Sequence, residues 1–409
     1  MDTKEFGQRV ATLRRQRGMS QDDLAVAIDR SASWVSQVER GVYNVDRLGL
    51  LQSLADALGV SLQELRSDAS PAEAAPQAVK VQPDLDELRL ALSGHPALGV
   101  LLSTDRNSLV PEHLDSMTER VNDAWSLEHD GKYLTLNDVL PRVITDLERT
   151  SRLVSESDRV GFVVLLARAY QIAAATFARR GEPDASWVAA DRAIAAAERS
   201  GQPLQVIAGH FRLAHAYMKL NQPAQAEWVA RAAADALAPR AASENALVEE
   251  LSLFGAMHLV LAVIRAKESD RAGAKDHILQ AQEVAQRIGS DRNDFNTEFG
   301  PTNVQLHALA VAIDVGDAGE ALDIAEEIDP SGLSPERQAR FWLDIGRAHA
   351  QRRHIGDAVA AIKKAEELAP EQIDGHRLTR ETVALLVQLS GKRLPAGLAD
   401  LAQRTAADI

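Results

Sequence analysis

Residues 20–41, SQDDLAVAIDRSASWVSQVERG, constrain the fold more tightly than any other stretch of this chain. They predict two short helices joined by a tight turn. Ser20 opens the first as an N-cap, and Asp23, three residues on, supplies the acid of a capping box. Leu24 and Ile28 form an apolar pair one turn apart. Asp29 and Arg30 make the turn, where Asp tolerates left-handed backbone better than most residues. Ser31 caps the second helix, Val35 and Val38 point inward, and Gly41 stops it. Ala32, Ser33, Ser36 and Gln37 are left on the outer face, all small or amide-bearing. A helix with that face suits the major groove of double-stranded DNA.

The flanks complete a domain. Phe6, Val10 and Leu13 form an i, i+4, i+7 stripe before the pair. Leu48, Leu51, Leu54 and Leu58 form another after it, ended by Gly59, and Val60, Ser61 and Leu62 lead into a last short helix with Leu65. Five short helices in about 65 residues make a complete small all-α domain. Through LRRQRGMSQDDLA, the second helix, ERG and LADALGVSLQEL, residues 4–66 resemble the XRE family, the lambda-repressor and Cro-like helix-turn-helix domains. The resemblance implies roles for matching positions. Gln21 falls where a phosphate is anchored, and Ala32, Ser33 and Gln37 fall where base edges are read. Asn44 and Arg47 fall in a loop that grips the DNA backbone; Ser36 and Arg40 complete the DNA-binding set. Arg14 and Glu39 match a buried ion pair joining two helices. Trp34 is expected to pack against a neighbouring helix. Three positions depart from the family pattern: Asp29 replaces the usual turn Gly, Arg30 replaces an apolar residue, and Ala32 offers a base only a methyl group.

Charge qualifies this picture. Residues 1–68 carry nine basic and ten acidic side chains, a net of -1. Phosphate neutralisation dominates non-specific DNA affinity, so one near-neutral head binds weakly, and a homodimer on a two-fold operator is expected to add two such contributions. The whole chain of 409 residues carries -14, so the remainder is acidic and unsuited to holding nucleic acid or anionic membrane by bulk charge. There is no cysteine, which excludes disulfides and thiolate chemistry and suits a reducing compartment. The opening MDTKEFGQR has no apolar signal-like core. The uncharged run Leu251 to Ile264 spans 14 residues, short of the roughly 20 that a membrane span needs. A cytoplasmic location without membrane contact is expected.

Residues 67–83, SDASPAEAAPQAVKVQP, read as a flexible linker. From residue 84 to 409 the composition is helical throughout. Helix breakers followed by small-residue helices recur at Pro183, Pro223, Asp270, Asp317 and Asp357, spaced by 40, 47, 47 and 40 residues. GDAGEALDIAEEIDP from Gly316 and GDAVAAIKKAEELAP from Gly356 show the repeat most clearly. This pattern predicts an α-solenoid of helical hairpins. The hairpins fall at 116–151, 158–200, 203–238, 245–289, 302–329 and 335–369, with a cap at 372–407. ARAYQIAAATFARRGEPDASWVAADRAIAAAE and LAHAYMKLNQPAQAEWVARAAADAL look like tetratricopeptide (TPR) repeats, with Tyr170 and Tyr217 where that repeat favours an aromatic. One connection breaks the rhythm: SDRNDFNTEFG, between Gly289 and Pro301, reads either as a plug built on Phe295 and Phe299 or as the rim of a pocket. Thr302 is a candidate cap for the helix after it.

The combination of an XRE head and a TPR-like tail resembles actinobacterial regulators of that layout and, by architecture, the peptide-responsive regulators of the RRNPP group. That resemblance implies a concave repeat surface that dimerises and binds a short secreted peptide or another small effector. The matching surface would draw on Arg168, Gln171, His210, His258, Asn303, His307, Arg340 and Asp344. A DNA-bound adaptor recruiting a protein partner is the alternative. There is no Gly-rich phosphate loop, GxSxG or HExxH, so no enzyme, cofactor or metal site is expected.

Overall fold

The computed structural model describes residues 3–17, 19–28, 30–41, 54–55, 57–58, 85–93, 102, 111–370, 373, 377–391 and 394–405. Among these residues there are α-helices and two short 3-10 turns but no strand. The chain divides into two compact units, Met1–Gln82 and Pro83–Ile409.

In the first unit, α1 (Thr3–Gln16), α2 (Gln21–Ala27) and α3 (Ala32–Glu39) fold around one small core. Ser20 accepts from the Asp23 backbone N–H while the Asp23 carboxylate accepts from the Ser20 N–H, at 3.0 and 2.8 Å, so the expected capping box is present. Ser31 caps α3 through the Trp34 N–H at 3.2 Å. Gly41 takes φ 71°, the left-handed stop that glycine accepts without a Cβ penalty. Phe6, Val10, Leu24, Ile28, Val35, Val38, Leu54 and Leu58 are buried together, with Leu13, Ala32 and Trp34 packed against them. Trp34 therefore packs as expected. Of the fourth helix, Leu54, Ala55, Ala57 and Leu58 are described as helical; Leu48, Leu51 and the expected fifth helix lie outside the described residues.

The second unit opens with α4 (Asp86–Ser93), a helix that the repeat spacing did not predict, which packs on α6. Six antiparallel pairs follow: α5 (Leu114–His129) with α6 (Tyr133–Leu153), α7 (Glu156–Arg179) with α8 (Pro183–Ser200), and α9 (Pro203–Lys219) with α10 (Pro223–Ala241). Then come α11 (Val248–Lys267) with α12 (Arg271–Ile288), α13 (Pro301–Asp314) with α14 (Ala318–Glu326), and α15 (Pro335–Gln351) with α16 (Ile355–Leu368). The end is α17 (Arg377–Ser390) and α18 (Ala396–Thr405). Prolines at the first turn start α8, α9, α10, α13 and α15, where the missing N–H is no loss. Fully buried alanines on α8 and α10, such as Ala193 and Ala230, let neighbouring helices approach closely.

The six first helices form an inner layer. Each of α5, α7, α9, α11, α13 and α15 touches the next, and α15 touches α5 again, so the circuit closes. A Cβ added at Gly131, in the α5–α6 turn, would lie 3.6 Å from the Ala369 methyl just beyond α16, a second junction between the first and last hairpins. Among the described residues one helix, α7, is long and apolar enough to cross a membrane, but it is the inner core of this row and 72% of its apolar window is buried.

Candidate DNA-reading helix and the charged inner face

A buried ion pair ties α1 to α3 in the head. Arg14 Nε donates to Glu39 Oε1 at 2.6 Å and its second nitrogen to Oε2 at 3.1 Å, with the two side chains only 9% and 6% exposed. Arg14 also donates to the Met19 carbonyl at 2.6 Å, and Gln21 Nε2 donates to Glu39 Oε2 at 2.7 Å. Burial by itself would raise Glu39, but the bonds from Arg14 and Gln21 outweigh it and hold the carboxylate below its usual range. Gln21, expected at a DNA phosphate, thus has its amide nitrogen committed to this network. On α3, Ala32 is half-buried against the core, while Ser36 and Gln37 are partly exposed. Arg40 is exposed, with Nε donating to the Ser36 carbonyl at 3.2 Å, just past the helix. Ser33 belongs to α3, but its side chain lies outside the described residues, as do Asn44 and Arg47.

The eight residues expected on a concave surface do not form one cluster. Gln171, Asn303 and Asp344 are buried rather than surface-facing. Arg168 bridges α7 to α5 by donating to Asn122 Oδ1 at 2.8 Å. His210 turns its Nδ1 to the Val206 carbonyl at 2.9 Å, and a separation of two residues from Arg212 places it on the opposite side of α9. His258 faces α12 instead, with Nδ1 3.1 Å from His277 Nδ1 in a depression shared with Arg231, Arg265, Asp270 and Asp276. Burial, then the neighbouring His277, pushes His258 down to about 4.

Asn303, His307 and Arg340 do meet, together with residues that the sequence reading passed over. Arg337 of α15 donates to Asn303 Oδ1 at 2.7 Å and to Glu298 Oε2 at 2.5 Å. Arg340 pairs with Asp344 at 3.1 Å, and Arg347 holds the same carboxylate at 2.8 Å. Facing them, α9 presents Arg212, His215 and Lys219 at i, i+3 and i+7, one stripe of the helix. Arg212 sits 5.2 Å from the Trp125 ring of α5 and donates to the Asn296 carbonyl at 2.8 Å. Arg179, at the end of α7, pairs with Glu128 and lies 3.7 Å over the Tyr133 ring. Lys219 reaches solvent, yet partial desolvation, then repulsion from Arg340, Lys267, Arg377 and Arg179, pushes it down to about 8. Desolvation dominates for Arg212, His215 and His307, lowered to about 10, 4 and 3. His215 still reaches water, so it lines an open space with protein on most sides. Helical periodicity of charge on the first helices was the available signal.

The Gly289–Pro301 connection plugs one end of this region. Phe299 is fully buried, and a Cβ at Gly255 of α11 would collide with its ring. Phe295 packs in a second cluster with Ala208, Leu237 and Leu253. Asp291, not Thr302, supplies the cap of α13: its carboxylate accepts from the Thr302 N–H at 3.0 Å and from the Thr302 hydroxyl at 2.5 Å. The plug also has a polar side, because Asn296 and Glu298 of the same loop meet Arg212 and Arg337.

Histidines look scattered in the sequence, yet the α15–α16 turn gathers three potential metal ligands. Donor atoms of His349, His354 and Asp357 lie within 4.8 Å of one another, and His349 Nδ1 is buried without a hydrogen-bond partner. Two imidazoles and a carboxylate are a donor set that suits zinc.

Residues 5–68 match a family model described as a helix-turn-helix domain. No curated protein and no solved structure matches the chain significantly. The match and the geometry of α2 and α3 together support a DNA-binding regulator, built from a helix-turn-helix head and a long helical solenoid.

Proposed function

We propose that the chain is a cytoplasmic, sequence-specific transcriptional regulator that binds a double-stranded DNA operator as a homodimer, and that its TPR-like hairpin unit senses a small effector. The observation that carries the DNA-binding part is α3 itself. It is capped and buried along Val35 and Val38, and it leaves Ser36 and Gln37 partly exposed beyond a finished core. The head's near-zero net charge favours paired heads over one. Exposed Trp228 on α10, at 72%, and Trp187 on α8, at 38%, offer apolar surface for self-association. The sensing part is supported by the convergence of charged side chains from α5, α7, α9, α13 and α15 on the space inside the helix circuit, where Arg179, Arg337 and Arg340 are paired with carboxylates and Arg212 and Lys219 form no ion pair among the described residues. Selection of duplexes from a random pool by the purified chain tests the reading. Enrichment of a two-fold related sequence is expected, and a pool that stays random after repeated rounds refutes it.

The adaptor reading has one observation in its favour. Ile278 and Leu279 of α12, Ala308 and Val311 of α13 and Ile324 of α14 line an apolar groove of about 190 Å³, rimmed by the Lys275–Glu320 ion pair at 2.8 Å. A groove of that kind suits an apolar side chain of a protein partner.

A further inference from the structure

We propose that the space enclosed by the six first helices binds a small ligand through an oxyanion, a carboxylate or a phosphate, gripped by Arg212 and Lys219 of α9 with Arg179 and Arg337 on the neighbouring walls. The proposal rests on the effector-sensing reading above and specifies its ligand class.

Pairing separates these cations into two kinds. Arg179 is matched by Glu128 and Arg337 by Glu298. Among the described residues neither Arg212 nor Lys219 forms an ion pair: Arg212 donates to the carbonyl of Asn296 and feels Glu128 and Glu298 only at longer range, and the Lys219 ammonium makes no hydrogen bond there. Glu128 and Glu298, the carboxylates nearest Arg212, are already engaged by Arg179 and Arg337, so the cations of this region outnumber the acids that face them and an empty site is destabilised. Arg212 and Lys219 sit, moreover, in an acidic part of the chain, whose net charge outside residues 1–68 is -13, from -14 less -1. An anion entering the space removes the mismatch.

Donors without acceptors point the same way. Arg179 Nη1 and Trp125 Nε1 are buried with no hydrogen-bond partner, two donors against one unpaired acceptor, Glu128 Oε2, in the same cluster, and the Arg212 guanidinium lies beside that same Trp125 ring. A ligand oxygen satisfies such groups, and leaving a buried donor unmade is unfavourable. His215 and His307 each place Nδ1 against a backbone carbonyl, Phe211 at 2.8 Å and Asn303 at 3.0 Å. A carbonyl only accepts, so Nδ1 carries the proton, and each Nε2 is available to a ligand hydroxyl or to a second proton drawn in by the anion. The loop that closes the region passes through left-handed backbone: Phe295, Asn296 and Glu298 take φ of 52°, 58° and 49°, which Asn tolerates and Phe and Glu rarely adopt. That backbone sets the Asn296 carbonyl on Arg212 and the Glu298 carboxylate on Arg337. The acidity of the whole unit disfavours a long polyanion and leaves a compact one.

The test uses the full chain with inorganic pyrophosphate and with citrate as probes, against chloride at matched ionic strength. Thermal melting, calorimetric affinity and operator affinity are measured for the wild type, Lys219→Met, Arg212→Gln and, as a remote control, Lys364→Met. At least one probe is expected to raise the wild-type melting temperature beyond the chloride effect. Lys219→Met should melt higher than wild type in chloride, because it removes repulsion without breaking a pair, and should bind the probe about tenfold more weakly or worse. Arg212→Gln should lose affinity similarly, and Lys364→Met should match wild type. A structural lysine gives the opposite result, a lower melting point with the probe response intact. That result, or no response to either probe, overturns the proposal. A probe that binds through Lys219 yet leaves operator affinity unchanged upholds the site and refutes sensing. Cell-extract small molecules that shift operator affinity equally in wild type and Lys219→Met uphold sensing and refute this site.

Discussion

Arg14, Gln21 and Glu39 show how one side chain can serve several partners. Glu39 accepts from both, so removing its carboxylate strands a buried guanidinium. Glu39→Ala is expected to cost the head about 3–5 kcal/mol. Hydrogen exchange on the full chain checks this: peptides from α1 to α3 should lose protection while α7 to α12 keep theirs, and unchanged head protection contradicts it. The pair was legible in the sequence because helix-turn-helix cores repeat it at matching positions; the amide of Gln21 was not, since nothing local aims it inward. Arg212, His215 and Lys219 were missed for another reason. Their spacing is that of any solvated helix stripe, and only the closing of the helix circuit turns the stripe toward other cations. The histidines give a pH prediction. His215 and His307 are held down near 4 and 3 by desolvation and by the nearby Arg212, Lys219, Arg337 and Arg340. Between those values and the unfolded value of about 6.5 the unfolded chain binds more protons. Stability should therefore be full above about pH 6.5 and fall as pH drops toward 4. A paired His215→Gln, His307→Gln variant should flatten that fall, as urea titration across the range would show.

Helix pairs were the most legible elements. Pro183, Pro223, Asp270 and Asp317 stand at or beside the starts of α8, α10, α12 and α14, since first-turn prolines and N-cap aspartates end one helix and begin another. The helix α4 escaped because a single short helix leaves no repeat. The thirteen-residue connection from Gly289 to Pro301 could be read two ways, and the structure gives it both an apolar and a polar face. Phe299 fills the space that glycine leaves at position 255. Phe299→Ala should cost about 3–5 kcal/mol and free the loop. Gly255→Ala should destabilise as well, by forcing the ring out. Chemical denaturation of both variants measures the effect, and a loss under about 1 kcal/mol for Phe299→Ala would show that the ring is not part of the core.

Across the whole molecule, charge is unevenly allotted: a near-neutral head, an acidic hairpin unit, and inside that unit two cations, Arg212 and Lys219, that form no ion pair among the described residues. Such a head gains from being used twice. Sedimentation equilibrium should therefore find a dimer, and Trp228→Ser should shift it toward monomer and weaken operator binding; a wild-type monomer at all concentrations contradicts dimerisation. The central claim is that α3 reads DNA sequence, and one measurement addresses it most directly. Wild type and Gln37→Ala are titrated onto the selected operator and onto a scrambled duplex of equal length and salt. Loss of about 1–3 kcal/mol is expected on the operator alone, with scrambled binding unchanged. Equal losses on both duplexes, or no difference between them for the wild type, would contradict the account.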